Sequence, residues 1–297
     1  MFGNLVSNML FKPGQAPLFD SPSNYGLAYE DVEFKASDGI TLRGWLIPGD
    51  TDKVIIQSHF GTMCCRAGYT NEGKGWLKGY DEDIHFLNQA KYLHEAGFTV
   101  LMYDFRGHGE SDTNSPPWIT WGTHEAKDVV AAVDFIATHP EYKDASIGLF
   151  SICMGQGAST EAFGLENGLR TYPQIKAMVS EQPLDYPTFA KAMGLPSFVR
   201  GSVRKVMQKR TGLDLEAASW FPHTKDISVP TLVIQNRNDG YLDEAFVESF
   251  FDKLNVEKEM AWIEIPKKKN ANQNRMAAYE WIGKNPDQIL IWFGKYL

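Results

Sequence analysis

Apolar residues along the chain follow two repeating patterns. Short, unbroken apolar runs, such as residues 54–56 and Phe98–Tyr103, are typical of strands in a sheet that is covered on both faces. Between them lie segments in which apolar residues recur every three or four positions, which predicts amphipathic helices. We therefore predict an α/β protein with a doubly wound, mostly parallel sheet and helices on both of its faces.

Turn and capping signals place the boundaries of these elements. Asp38-Gly39 is a hairpin turn signal between two strands, and Asp243 is predicted to cap a late helix. Asn285 and Pro286 are predicted as the N-cap and first residue of the final helix. The predicted strands cover residues 30–36, 41–47, 54–56, 98–103, 146–150, 175–180, 230–235 and 260–265.

The alternation of strands and helices breaks over residues 183–226. This segment holds scattered aromatic residues, a proline and a basic run at 200–210, and we interpret it as a helical cap inserted into the core. Residues 1–182 and 227–297 then form one α/β core, in which residues 1–28 are an N-terminal extension that wraps the surface. A chain of 297 residues is long enough for such a domain with an insert.

Composition and charge narrow the possible partners. The formal net charge is -8 and the pI is near 5.4, which argues against nucleic acid and anionic membrane surfaces. Of three cysteines, Cys64 and Cys65 are adjacent, which favours a reducing, cytoplasmic location over a disulfide framework.

Neither a signal peptide nor a membrane-spanning run is recognisable. The expected partner is a small-molecule substrate, no cofactor or metal is predicted, and the oligomeric state is not readable.

The most informative stretch is ASIGLFSICMGQGA at residues 145–158. It predicts a buried strand, a tight turn and a helix, with Cys153 at the tip of the turn. The spacing fits the small-x-nucleophile-x-Gly pattern of a nucleophile elbow, with Ser151 in place of the usual first glycine. Such a turn presents its side chain at the carboxyl end of the sheet, where the helix N-terminus favours a thiolate. A merely buried cysteine is the alternative interpretation.

Two further segments are predicted to reach the same edge of the sheet. The loop His59-Phe60-Gly61-Thr62 follows the strand at 54–56, and Asp239 follows the strand at 230–235. Ligands of open α/β sheets bind at the carboxyl ends of the strands. We therefore expect the functional site where these two segments meet Cys153.

Several stretches resemble the α/β-hydrolase superfamily, from about residue 30 to the end of the chain. They are DGITLRGWLIP at 38–48, SHFGT at 58–62, YDFRGHGESD at 103–112, SICMG at 151–155 and VPTLVIQNRNDGYLD at 229–243. The elbow cysteine is similar to that of the dienelactone-hydrolase branch. The layout is similar to bacterial esterase-like and peptidase-like members with a short cap.

This resemblance implies roles for four residues. Cys153 matches the nucleophile and Asp239 matches the acid of a catalytic triad, in the family's chain order. The backbone N–H groups of Met154 and Phe60 match the donors of an oxyanion hole.

The histidine that completes the family's triad is missing from its usual place. The loop expected after the last strand reads PKKKNANQNR at 266–275, and the last histidine of the chain is His223. Three residues remain as possible substitute bases or pocket residues: His59, His223 and Lys269. His59 is interpreted first as a residue that holds its own loop. Lys269 belongs to a solvated basic run that is placed to meet Asp239 or an anionic substrate.

A cysteine nucleophile depends less on a base than a serine does, because a thiol ionises nearer neutral pH. We therefore predict a hydrolase-like enzyme that attacks an ester, thioester or lactone carbonyl of a small molecule through Cys153. A non-hydrolytic cyclase, lyase or acyl transferase on the same fold is one alternative. A disabled hydrolase that only binds a small molecule is another.

Overall fold

The computed structural model describes residues 2–12, 16–72, 82–113 and 117–297. Ten strands lie in this part of the chain and form two sheets. They are β1 (Glu30–Lys35), β2 (Thr41–Ile47), β3 (Asp50–Ser58), β4 (Gly68–Tyr69), β5 (Ile84–His85), β6 (Phe98–Tyr103), β7 (Ser146–Ile152), β8 (Ile175–Glu181), β9 (Thr231–Asn236) and β10 (Lys258–Ile263).

The main sheet has eight strands in the order β1-β2-β6-β3-β7-β8-β9-β10. The hairpin of β1 and β2 is antiparallel, and β2 joins β6 antiparallel, but every pairing from β6 to β10 is parallel. The strands β3, β6, β7, β8 and β9 therefore end at one edge of the sheet. β4 and β5 form a separate antiparallel pair near the N-terminus of α2.

The described helices cover both faces of this sheet. They are α1 (Phe2–Phe11), α2 (Leu87–Glu95), α3 (Ala126–Thr138), α4 (Met154–Gly164), α5 (Tyr186–Ala192), α6 (Ser197–Thr211), α7 (Glu244–Lys253), α8 (Ala271–Lys284) and α9 (Asp287–Tyr296). One buried core includes residues of α3, α4 and α7, and a second includes residues of α2, α8 and α9. The predicted fold class is confirmed: a mostly parallel sheet lies between two layers of helices. Within the described residues, no helix is both long and apolar enough to span a membrane.

Residues 183–226 hold α5, α6 and a short 3-10 helix, Phe221–Asp226. Their division from the core as a cap stays a prediction. Within the N-terminal segment, which is predicted to wrap the surface, α1 forms a regular helix that packs closely on α6. A Cβ at Gly3 would overlap the Ser202 side chain, and Leu10 and Phe11 are buried.

Two predicted boundaries at the C-terminal end are wrong. The expected loop at 266–275 ends early because Asn270 caps α8, with its side-chain oxygen accepting from the N–H of Gln273 at 2.9 Å. The final helix begins at Asp287, so that Pro286 is its N-cap rather than its first residue. The first correction decides the chemistry of the site, because it moves Arg275 from a loop onto a helix.

Candidate active site

Cys153 occupies the sharp turn between β7 and α4. Its φ is +50°, in the left-handed region that non-glycine residues rarely adopt, which costs about 1–3 kcal/mol. The turn is held by two backbone hydrogen bonds. The N–H of Cys153 donates to the carbonyl of Glu181 at 2.9 Å, and the N–H of Gly157 donates to the carbonyl of Cys153 at 3.0 Å.

The residues on either side of Cys153 allow this close turn. A Cβ at Gly155 would overlap the carbonyl oxygen of Ser58, so only glycine lets α4 start so near the end of β3. Ser151, which stands in the place of the family's first glycine, is buried, and its hydroxyl lies 2.8 Å from the hydroxyl of Ser159. The local sequence therefore builds the elbow and ties it to α4.

Arg275 is the cation beside the cysteine. Its guanidinium donates hydrogen bonds to Asp239 through Nη1 and to the carbonyl of Gln182 through Nη2, and it interacts electrostatically with the Cys153 side chain. The side chain is only 2% exposed. Gln182 has a φ of +53° and also donates from its amide to the carbonyl of Arg275 at 3.3 Å. Gln182, directly after β8, thus forms hydrogen bonds with both the side chain and the backbone of Arg275.

Tyr279 lies one helical turn after Arg275 on the same face of α8. Its hydroxyl accepts from Arg275 Nε at 3.0 Å and interacts electrostatically with the Cys153 side chain. Its ring stacks on Phe60, with 5.0 Å between the ring centroids. A thiolate at Cys153 would therefore lie beside the Arg275 guanidinium and the Tyr279 phenol, which both come from α8.

The protonation states of these two partners follow from their surroundings. Burial acts to lower the pKa of Arg275, but the charge of Asp239 and smaller contributions from Tyr279 and Cys153 hold that pKa well above its ordinary value. Burial also raises the pKa of Tyr279 well above its ordinary value, against the charge of Arg275. Arg275 therefore stays a cation and Tyr279 a neutral donor at neutral pH.

The loop opposite the elbow is held by two buried histidines. His59 accepts from the N–H of Phe105 at 3.0 Å through Nε2, and its Nδ1 lies 2.6 Å from the carbonyl oxygen of Phe60. His108 accepts from the N–H of Thr62 at 3.2 Å. Burial lowers the pKa of each histidine to about 4, so both are neutral. Both therefore act on the loop's backbone and position Phe60.

An apolar cavity of about 230 Å³ opens above Cys153. Its described lining includes Cys153, Met154, Phe60 and Arg275. The rest of the wall is mostly flexible or aromatic: Met9, Met63, Met193, Met276, Trp121, Phe189, Tyr241 and Tyr279. Such a wall suits a bulky or extended apolar group, with polar chemistry confined to the elbow. Within the described residues, no cluster of three or more His, Cys, Asp or Glu side chains could hold a metal ion.

Comparison with known proteins agrees with this architecture. A family model described as serine aminopeptidase, S33, matches residues 77–211. An esterase of Pyrococcus furiosus has a similar structure, with a TM-score of 0.66, 20% sequence identity and 96% of each chain covered. The chain has the α/β-hydrolase fold.

Two curated relatives of this chain are fungal proteins. A polyketide transferase of a Penicillium species is 28% identical over 207 residues, which cover 69% of the chain and 60% of that protein. A thiohydrolase of Arthrinium phaeospermum is 27% identical over 171 residues, which cover 56% of the chain and 46% of that protein. The chain thus spans about half to three fifths of the length of these relatives.

The predicted residues are only partly brought together. Cys153, Met154 and Phe60 all line the cavity, and Asp239 reaches Cys153 through Arg275. His223 and Lys269 are not among the described residues that line it. His223 lies beside Asp226, with Nδ1 2.9 Å from its carboxylate, on the short 3-10 helix. The backbone N–H of Lys269 donates to Gln273 at the start of α8.

Sequence reasoning missed Arg275, Tyr279 and Glu181 as parts of this site. A signal for the first two was present, because Asn270 followed three positions later by Gln273 is a capping pair. A helix that starts there places residues 275 and 279 on one face. The pairing of that face with the elbow depends on packing across the sheet, which no local pattern reveals.

Proposed function

We propose that this protein is a member of the α/β-hydrolase superfamily and an acyl-transfer enzyme that works through a covalent acyl group on Cys153. The observation that carries the proposal is Arg275, which stands between the elbow cysteine and Asp239 where the superfamily places a histidine. Arginine carries a permanent charge and has no site that accepts a proton. The arrangement therefore supports a thiolate nucleophile without a histidine's base chemistry.

The first half of the reaction follows from the geometry of the elbow. The Cys153 thiolate attacks the carbonyl carbon of an ester or thioester, and the carbonyl oxygen becomes an oxyanion. The N–H groups of Met154 and Phe60 are the proposed donors to this oxyanion. Collapse expels the alcohol or thiol of the donor and leaves the acyl group on sulfur as a thioester. Tyr279 and Arg275, released from the thiolate, then face the cavity.

Transfer to an organic acceptor is favoured over hydrolysis for two reasons. Asp239 is 7% exposed and already accepts from Arg275, so it cannot readily activate a water. The apolar wall holds an organic acceptor better than water, because it offers few hydrogen-bonding groups. The name of one fungal relative, a polyketide transferase, supports group transfer as the reaction class. Hydrolysis is the second candidate, favoured by the relative that is named a thiohydrolase.

The decisive experiment follows p-nitrophenol release and intact mass with p-nitrophenyl hexanoate as the donor. We expect a burst of nitrophenol, one hexanoyl adduct on Cys153 and slow loss of that adduct in water. Added alcohols, thiols or amines should discharge the adduct and appear as acylated products. Steady turnover in water with no accumulated adduct would support the hydrolase instead. No burst and no adduct would overturn both.

Two cysteine variants complete this experiment. Cys153→Ala should abolish the burst and the adduct. Cys65→Ala is the matched control and should keep both, because burial raises the pKa of Cys65 to about 12 and makes it a poor nucleophile.

A further inference from the structure

A second cavity shares part of its wall with the cavity above Cys153. It has a volume of about 610 Å³ and is bounded by α5, the loop after β9 and the first half of α7. We call it the outer cavity, and we call the 230 Å³ cavity above Cys153 the inner cavity. The described residues that line the outer cavity include Thr188, Lys191, Phe221, Leu242, Phe246 and Ser249.

Helix α5 presents a different face to each cavity. Phe189 and Met193, four positions apart, line the inner cavity. Thr188, Lys191 and Ala192 line the outer cavity. Residues three or four positions apart share a face of a helix, so these two sets lie on different faces of α5. The helix therefore forms part of the partition between the two cavities.

Tyr241 completes this partition, because it lines both cavities. Its backbone N–H donates to Asp239 at 2.9 Å, so its main chain is fixed at the acid of the site. Its hydroxyl donates to Asn272 at 2.6 Å, and its ring centroid lies 5.2 Å from that of Phe189. At Tyr241 the inner and outer cavities are thus one side chain apart.

The volumes of the two cavities suit different tasks. Pockets that enclose a whole small-molecule ligand have volumes of about 300–1,000 Å³. The outer cavity falls within this range and the inner cavity falls below it. Acyl transfer brings together two organic groups, the acyl group on Cys153 and the acceptor. The inner cavity has room for the acyl group, and the outer cavity has room for the acceptor.

The walls of the outer cavity favour an aromatic ligand with a small polar group. The rings of Phe221 and Phe246 lie 5.3 Å apart, and Leu242 adds apolar surface. Thr188 and Ser249 bring hydroxyl groups to the same wall. Aromatic faces pack well on a flat ring, and the hydroxyls offer hydrogen bonds to a polar substituent.

The inner cavity limits the reacting end of this ligand. That end has to enter a mostly apolar space beside the Arg275 cation. A protonated amine would lose its hydration and meet a like charge there, which is unfavourable. An alcohol is neutral and avoids both costs.

We propose that the outer cavity is the acceptor site of the acyl transfer, that it binds an aromatic alcohol, and that the alcohol's hydroxyl reaches Cys153 past the side chain of Tyr241. This inference rests on the proposed acyl-transfer function. In the transfer step the acceptor's oxygen bonds to the acyl carbon and the bond from that carbon to sulfur breaks. The hydroxyl's proton passes to the departing sulfur, so atoms and charge balance.

Competition between two alcohols tests the acceptor site. Cys153 is first loaded with p-nitrophenyl hexanoate, and the adduct is then discharged by 2-phenylethanol or by methanol. The readout is the ratio of the two second-order rate constants within one protein. Ser249→Trp fills the outer cavity from α7 and should lower this ratio at least about tenfold.

Glu248→Trp is the matched control for this substitution. Both positions are exposed on α7, but Glu248 is not among the described residues that line the outer cavity. Glu248→Trp should keep the wild-type ratio. Equal ratios in the wild type and Ser249→Trp would overturn the proposal, as would an equal fall in both tryptophan variants.

A binding measurement separates this proposal from the acyl-transfer function. Cys153→Ala forms no adduct, yet it should bind 2-phenylethanol saturably in an NMR titration. Adding Ser249→Trp to this variant should weaken the binding at least about tenfold. No saturable binding, or equal binding by both proteins, would overturn the acceptor site. Absence of the burst and adduct in the wild type would instead overturn the acyl-transfer function.

Tyr241→Phe tests the passage between the cavities. It removes the hydrogen bond to Asn272, so the ring should move aside more readily. At saturating 2-phenylethanol, discharge of the adduct should speed up by about three- to tenfold, the factor that corresponds to one hydrogen bond. A merely structural role would raise the half-saturating concentration without speeding discharge. An unchanged or slower discharge would overturn the passage past Tyr241.

Discussion

At the scale of single residues, the cation beside Cys153 and Asp239 is an arginine, where a conventional catalytic triad has a histidine. A histidine between Cys153 and Asp239 would take a proton from the nucleophile and return it to the leaving group. Arg275 pairs with Asp239 and interacts electrostatically with Cys153, but it has no site that accepts a proton. The site thus places a fixed positive charge beside Cys153, where a triad histidine would exchange a proton.

Removing the Arg275 charge should weaken both the fold and the nucleophile. Arg275→Met leaves Asp239 buried and unpaired, so the free energy of unfolding should fall by about 3–5 kcal/mol, measured by urea denaturation. Alkylation of Cys153 by iodoacetamide at neutral pH should slow by at least about tenfold, since a hydrogen bond to a charged group contributes about 1.5–3 kcal/mol.

The double variant Arg275→Met with Asp239→Asn is the control for this prediction. It removes the unpaired carboxylate and should regain part of the lost stability while alkylation stays slow. Equal stability of Arg275→Met and the wild type would contradict the buried ion pair.

A second residue-scale prediction concerns pH. The pKa of His59 falls from 6.5 to about 4 on folding, so between these values the unfolded chain binds more protons than the folded one. This contribution lowers the free energy of unfolding as pH falls from 6.5 to 4, on the order of 3 kcal/mol in all. His59→Gln keeps a hydrogen-bonding acceptor and cannot be protonated. Its stability should fall less steeply over this window, measured by urea denaturation at successive pH values; parallel curves would contradict it.

At the scale of elements, the sequence pattern predicted strand boundaries correctly where turn signals in the neighbouring sequence set them. The strand Phe98–Tyr103 and the hairpin strand Thr41–Ile47 begin and end at the predicted residues, because turn signals flank them. The start of α8 was misplaced because the segment after β10 is polar and reads as a loop. The capping pair of Asn270 and Gln273 was the overlooked signal.

The contact of α4 with β3 leads to a prediction about two helical glycines. Gly155→Ala forces a Cβ against the carbonyl of Ser58 and should lower the free energy of unfolding by at least about 2 kcal/mol, with loss of the burst. Gly201→Ala on α6 meets no described atom within 4 Å and should raise stability by about 0.5–1 kcal/mol. Thermal or urea denaturation of both variants checks the contrast. Equal effects would show that the close approach at Gly155 does not constrain the elbow.

At the scale of the whole molecule, distant segments combine to enclose the site. Met9 and Leu10 come from α1, Phe189 from α5 and Met276 from α8, and all four line the cavity over Cys153. The N-terminal segment, predicted as a surface wrap, is therefore part of the cavity wall. The side chains that line this cavity are mostly apolar.

This enclosure predicts a dependence on acyl-chain length. Each buried methylene contributes about 0.8 kcal/mol, so p-nitrophenyl hexanoate should acylate Cys153 at lower concentrations than p-nitrophenyl acetate. Met193→Trp, which fills part of the cavity, should abolish this advantage and leave acylation by acetate within about twofold of the wild type. The measurement is the concentration dependence of the burst rate. A burst that is indifferent to chain length in both proteins would contradict the role of the cavity.

The sequence by itself determined the α/β fold, the elbow at Cys153 and the position of Asp239 after a strand. Each of these depends on residues close together in the chain: apolar runs, glycines and turn signals whose preferences are local. Only the tertiary structure decided which side chains lie beside the Cys153 sulfur. Arg275 and Tyr279 reach Cys153 because α8 packs across the ends of β8 and β9, and Glu181 joins them because β8 pairs with β7. These contacts depend on long-range packing and on the balance of charges in a buried cluster, which no local pattern encodes.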